Sequence, residues 1–232
     1  HHAIRRSQDG AWYRVSEWVE SEGWGALLAS GQLGDRTLLL GLFHEMAEAL
    51  AILHANGHFI PHLILNDLMV VREESRLRVK LDYKLSRFIN PKVDRPAPML
   101  RRLLACHPDI VNQRPLDFRS DIWSLGNVFV ALLAGDLDLE DPNAVIDALG
   151  LPGDVAILLK VMLADDPDLR PQSMREVADS LDRIRKGFAA GAQRLLDSRD
   201  KDRRPAYRTG KRTRWMALAS IVIERPLSRS TA

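Results

Sequence analysis

Three side chains in the first half of the chain could do chemistry: His62, Asp67 and Asp82. An imidazole can accept a proton near neutral pH. Two carboxylates are hard oxygen ligands of the kind magnesium takes, and without a cation or its phosphate they repel one another when close. Each has a plainer reading. His62 can be a loop histidine holding a structural hydrogen bond, and Asp82 an ordinary strand-end or turn aspartate. Asp121 stands at the mouth of a long apolar segment, where a buried carboxylate needs a partner. Cys106 is the only cysteine. It reads as a small buried or loop residue rather than a redox switch. One cysteine excludes an internal disulfide framework and fits a reducing, cytoplasmic setting.

The elements that must position these residues are legible as patterns. Residues 120–135, SDIWSLGNVFVALLAG, are apolar around nearly the whole circumference. They predict a helix buried on most sides, started by Ser120 or Asp121 and stopped by Gly135. Residues 35–56 repeat Leu38, Leu39, Leu42, Phe43, Met46, Ala49, Leu50 and Leu53 at helical spacing, with Asp35 as cap and Gly57 as stop. Residues 11–20 alternate loosely and are rich in Trp, Tyr and Val, as a strand is, with 1–6 a second strand across a Gln8-Asp9-Gly10 turn. A short helix starts at Trp24. Residues 68–71 and 77–81 predict a hairpin about Glu73-Glu74-Ser75, with Asp82 just past its end. Prolines 91, 96, 98 and 108 argue against regular structure over 83–113. Two short helices (141–149 and 153–163), a turn at 167–171 and an amphipathic helix over 173–185 complete the pattern.

The apolar fraction of 46% and charged fraction of 28% over 232 residues are those of a soluble globular chain. The net charge of +2 is unevenly placed: residues 183–214 hold twelve Lys/Arg against three Asp, so the preceding body is net acidic. The chain opens with His1-His2 and no initiator Met, so we expect a fragment or trimmed domain of a longer protein. Residues 186–210 read as a basic linker or disordered tail. Arg203-Arg204 and Lys211-Arg212-Thr213-Arg214 precede the apolar run 215–223, a pattern similar to a cytoplasmic juxtamembrane segment. That run is far short of the roughly twenty residues a spanning helix needs. Interfacial membrane association through 203–223, a truncated or altered anchor, or a solvated basic tail with one strand or helix packed back on the lobe are the readings left. With almost no aromatic interleaving, nucleic-acid binding is not expected.

Taken in order, several motifs resemble the large lobe of protein kinases, over roughly residues 1–185. Asp121, Trp123, Ser124 and Gly126 form the D-x-W-S-x-G of that lobe's central helix. Residues 12–19 resemble the last small-lobe strand and the hinge, and LHANGHF (53–59) the end of the helix before the catalytic loop. Asp82-Tyr83-Lys84 stands where the metal-binding Asp-Phe-Gly belongs, and His107-Pro108-Asp109 where Ala-Pro-Glu closes the activation segment. Residues 163–171, LADDPDLRP, carry the arginine that pairs with that carboxylate. The resemblance implies an α+β, mostly α fold: a kinase-like large lobe (21–186) after a remnant of small-lobe strands (1–20), with a basic tail (187–232). It implies a buried ion pair between Arg170 and Asp109. It also implies ATP contacts at Glu17, Val19 and Met69, and a magnesium site at Asp67 and Asp82.

The catalytic loop departs from the family. IPHLILND (60–67) stands in place of His-Arg-Asp-Leu-Lys-Pro-Glu-Asn. His62 occupies the position of the catalytic aspartate, Ile64 that of the phosphate-steadying lysine, and Pro61 that of the arginine that reads a phosphorylated loop. Phosphoryl transfer works by positioning and electrostatics, so losing the base and the cation removes most of it. Lys84, in place of the triplet glycine, either fixes one backbone conformation, serves as an internal cation for the two aspartates, or is a plain solvated lysine. The Gly-rich loop, its strand lysine and the partner glutamate would lie upstream of His1. We therefore expect a pseudokinase that binds signalling proteins, with an active divergent Ser/Thr kinase or a helical interaction module as alternatives. In the family, the aspartate at the central helix accepts two backbone N–H groups from the loop, at the positions of Ile60 and Pro61. Proline has none, so Asp121 should keep one.

Overall fold

The computed structural model describes residues 3–10, 12–15, 17–60, 63–82, 107–137, 139 and 141–202. Strands β1 (Ala3–Arg6) and β2 (Trp12–Val15) form an antiparallel hairpin with Ala3 opposite Val15. The strand predicted to run to Glu20 stops at Val15. Beyond it the chain meets other backbone at Glu22, whose N–H donates to the Val70 carbonyl at 2.8 Å. Helix α1 (Trp24–Ala29) follows, and its Trp24 indole donates to the Leu68 carbonyl at 2.7 Å. Helix α2 (Arg36–Ala55) is capped by Asp35, whose carboxylate accepts from the Thr37 N–H. By length and composition alone α2 could cross a membrane. Its apolar face is spent within the fold, where Leu39, Leu42, Phe43, Met46 and Leu50 are buried.

Strands β3 (Leu68–Glu73) and β4 (Arg76–Leu81) form a second antiparallel hairpin, with Leu68 opposite Leu81. It lies on α2, where the Val79 N–H donates to the Glu45 carboxylate. A short helix, α3 (Pro108–Val111), falls in the stretch expected to be irregular. Pro108 does not forbid it, because it sits at the first helical position, where a missing N–H costs nothing.

Helix α4 (Phe118–Ala134) is the core of the fold. Ile122, Trp123, Leu125, Val128, Phe129, Val130 and Leu132 are all buried on it, and the Phe129 ring stacks on Phe43 of α2 with centroids 3.7 Å apart. Its start lies before the expected Ser120 or Asp121. Asp117 is the cap, accepting from the Arg119 N–H, while Ser120 answers as the third helical residue by accepting from the Asp117 N–H. Gly135 ends the helix in the left-handed conformation, at φ +69°.

Helices α5 (Pro142–Ala148) and α6 (Gly153–Met162) pack on α4. Helix α7 (Met174–Asp202) buries Met174, Val177, Ala178, Leu181 and Ile184. It does not end near Arg185, and the residues read as a linker from 186 are helical through Asp202. Phe188 explains part of the extension, since it packs against the core. The first compact unit runs from His1 to Ala192. Of the second, 193–232, only 193–202 is described, and the tail segment 203–223 lies outside the described residues.

At Gly126, α4 passes close to the end of α6. A Cβ there would meet Met162 Cβ at 3.1 Å and Leu163 Cγ at 3.3 Å. Both neighbours are themselves fully buried. Gly126→Val should therefore lower stability by about 1–3 kcal/mol through overpacking, read as a lower urea midpoint at unchanged slope.

Candidate functional site

The β3–β4 register brings the two candidate metal ligands to one end of the hairpin. Leu68 and Leu81 are the last paired residues, and just beyond them the Asp82 N–H donates to the Asp67 carbonyl at 2.7 Å. Asp67 closes a single 3-10 turn (Leu65–Asp67). Its carboxylate is buried, and Oδ2 accepts from the Ile64 N–H at 3.0 Å. Asp82 is half-buried. Two hard oxygen groups fit magnesium in type, and that ion commonly takes one or two carboxylates and completes its shell with phosphate and water. Among the described residues, no group of three or more His, Cys, Asp or Glu side chains stands together.

Ile64, at the position a lysine would hold, is buried, as are Leu63 and Leu65 on either side. His62, Pro61, Tyr83, Lys84 and Cys106 lie outside the described residues. Of the adenine contacts implied by resemblance, Met69 lines a cleft of about 330 Å³ together with Ser21, Glu22, Trp24, Leu65 and Asn66. Glu17 and Val19 do not line it. Glu17 pairs instead with Lys80 at 2.9 Å, the residue opposite Met69 in the hairpin.

Asp121, fully buried in the first turn of α4, holds the start of this loop. Its Oδ2 accepts the Ile60 N–H at 2.9 Å and meets His54 Nε2, from the last turn of α2, at 2.8 Å. Oδ1 has no hydrogen-bond partner among the described residues. Among the described residues Ile60 is the one loop donor to Asp121, and proline at 61 has no N–H to add. His54 was missed as a ligand of this carboxylate. The signal was its place in LHANGH, at the end of a helix whose next residues enter the loop. Burial pushes the Asp121 carboxyl up to about 6, against the hydrogen bonds from His54 and the Ile60 N–H, which pull it down.

The second constellation lies at the entrance of α4. Arg170 and Asp109 are both buried and joined by two bonds of 2.8 Å, one from each terminal nitrogen. Arg170 spends its other N–H groups on the carbonyls of Ala164, Arg119 and Asp165, so all five donors are used. The Ser120 hydroxyl donates to Asp109 Oδ2 at 2.8 Å. His107, also missed, caps α3. Its Nδ1 accepts the Asp109 N–H, its Nε2 meets the Ser120 carbonyl, and its ring lies 4.5 Å from that of Trp123. Burial alone would raise the Asp109 carboxyl. The bonds from Arg170 and Ser120, with the charge of Arg170, outweigh it and hold the group below its ordinary value.

With this geometry in view, the solved structures give a fold. The chain superposes on the PknI kinase domain of Mycobacterium tuberculosis with a TM-score of 0.56 at 18% identity, covering 78% of this chain and 68% of that one. A mutant form of the same domain gives 0.54 at 19%, over 78% and 68%, and a double mutant 0.55 at 19%, over 78% and 69%. No family model matches, and no curated protein is a significant relative. The fold is that of a protein-kinase large lobe preceded by a remnant of small-lobe strands.

Two outcomes follow from the carboxylates. Arg170→Met strands Asp109 as a buried, unpaired charge and should cost about 3–5 kcal/mol in urea unfolding, most of it recovered by also making Asp109→Leu. Asp121 works in the opposite sense on pH. Its folded value of about 6 lies above the ordinary aspartate value of about 3.9. The stability this group contributes is therefore complete below about pH 4 and lost as pH rises through about 6. Asp121→Asn should flatten that window relative to the parent in a urea series across it.

Proposed function

We propose that this chain is a pseudokinase: a kinase-like lobe that serves signalling proteins as a binding scaffold rather than transferring phosphate. One observation carries the reading. Ile64 occupies the position of the phosphate-steadying lysine and is buried in an aliphatic run, where it offers no charge to a phosphate. His62 supplies a base of a different type from the family's aspartate. The scaffold groups Asp109, Asp121 and Arg170 are meanwhile all engaged.

The adjacency of Asp67 and Asp82 favours a second reading, an active divergent Ser/Thr kinase using ATP and magnesium. In it those two aspartates would hold the cation, which would neutralise nucleotide phosphate. Met69 would line the adenine side of the cleft, and His62 would take the hydroxyl proton. A cytoplasmic setting, with 203–223 as the segment that would meet a membrane surface, rests on the sequence of the tail.

A phosphotransfer assay with labelled ATP, magnesium and a generic Ser/Thr substrate should give no turnover above the protein-free control. Turnover that disappears in Asp82→Ala would overturn the pseudokinase reading. A nucleotide- and magnesium-dependent rise in melting temperature, absent in the same variant, would favour the second.

A further inference from the structure

At the turn end of the β3–β4 hairpin, opposite the end that carries Asp67 and Asp82, a cleft of about 710 Å³ opens between the hairpin, α2 and α7. Leu38, Gly41, Leu42 and Glu45 recur along it at helical spacing, so one face of α2 is its wall. Leu38, Leu42 and Leu77 give it an apolar floor. Its rim is cationic: Arg72, Arg76 and Arg78 from the hairpin, Arg185 and Lys186 from α7.

The charges are not balanced. Arg72 pairs with Glu22 and Arg78 with Glu45, both partly exposed. An exposed pair such as that of Arg78 is weak, whereas Arg72 is held by both oxygens of Glu22 and by Gln32. Arg185 and Lys186 share the one carboxylate of Asp182. No carboxylate among the described residues stands within ion-pair distance of Arg76. Asp35, the other acid in the lining, is turned to the first amides of α2.

We propose that this cleft docks an acidic peptide segment of a partner protein, with leucine-like side chains on the floor and carboxylates on the arginine rim. This goes beyond the pseudokinase reading and does not depend on whether phosphate is transferred. Charge complementarity selects the occupant. The chain's own residues 203–232 carry eight Lys/Arg and one Glu, the wrong sign for this rim. A nucleic acid would want aromatic platforms, and no lining residue is aromatic.

Gly41 supplies a clean block. A Cβ there meets nothing within 4 Å, and its φ is not in the left-handed region. A larger side chain can therefore enter the cleft without disturbing α2, where glycine is in any case a poor helix former.

The test is fluorescence anisotropy on the full chain with a labelled peptide of repeated Glu-Glu-Leu, beside a Lys-Lys-Leu peptide and a single-stranded oligonucleotide. The acidic peptide should bind, and both Arg76→Glu and Gly41→Phe should weaken it by about tenfold. The melting temperature of Gly41→Phe should not fall. The proposal is overturned if the acidic peptide does not bind, if the basic peptide or the oligonucleotide binds as tightly, or if Gly41→Phe leaves the affinity intact. Should Arg76→Glu fail to fold, Gly41→Phe alone decides.

Discussion

The pair between Arg170 and Asp109 is the interaction on which the lobe depends. Two charges inside a protein cost several kcal/mol each in lost hydration, and only close geometry with every remaining polar atom satisfied offsets that. Here the geometry meets the condition. The guanidinium forks onto both carboxylate oxygens and places its other donors on three carbonyls from two separate segments. One side chain thereby fixes the turn after α6, the start of α4 and the short helix α3 to one another. His107 adds a neutral imidazole that joins the Asp109 amide to the Ser120 carbonyl, so the corner is closed by polar bonds and covered by Trp123.

Asp121, the residue after Ser120 on α4, shows what a carboxylate does with fewer donors. Asp109 has an arginine and a hydroxyl, and its proton affinity falls. Asp121 has an imidazole and one amide, both on the same oxygen, and its proton affinity rises. Both side chains are out of solvent, but Asp121 is packed the more deeply, and burial dominates its shift. At Asp109 the arginine and the hydroxyl outweigh burial. Proline at 61 has no N–H to offer, and His54 reaches the carboxylate from α2. Among the described residues the loop is tied to α4 through the Ile60 amide, on the same oxygen that His54 meets.

Much of this was legible in the sequence because it rests on local pattern. The apolar circumference of residues 120–135 marked a buried helix, and Asp35 and Gly135 marked a start and a stop. The Asp109–Arg170 pair was legible only through resemblance, since no local spacing joins positions so far apart. The misses have physical causes. Asp117 was passed over because Ser120, the reciprocal member of the same capping box, is the more conspicuous cap. Pro108 was read as a breaker although proline suits the first residue of a helix. The extension of α7 past Arg185 was hidden by its charged, glycine-containing composition, although Leu181, Ile184, Phe188 and Leu195 continue at helical spacing. His54 and His107 act through tertiary contacts that no spacing encodes.

Those contacts bear on what the loop can be. Three consecutive buried aliphatics, Leu63, Ile64 and Leu65, make it part of the core. Burying one such side chain contributes about 1.5–3 kcal/mol. A lysine at 64 would instead have to carry its ammonium out of this layer or lose its charge within it. Buried backbone also needs acceptors, and Asp67 supplies one for the Ile64 N–H, while the Asp67 carbonyl supplies another for Asp82. One oxygen of the Asp67 carboxylate is therefore in use closing the loop, whereas Asp82 is tied to it through its backbone N–H. The Ile64 and Asp82 amides are both satisfied by Asp67, so the described part of the loop, residues 63–67, is tied to the hairpin through that one residue.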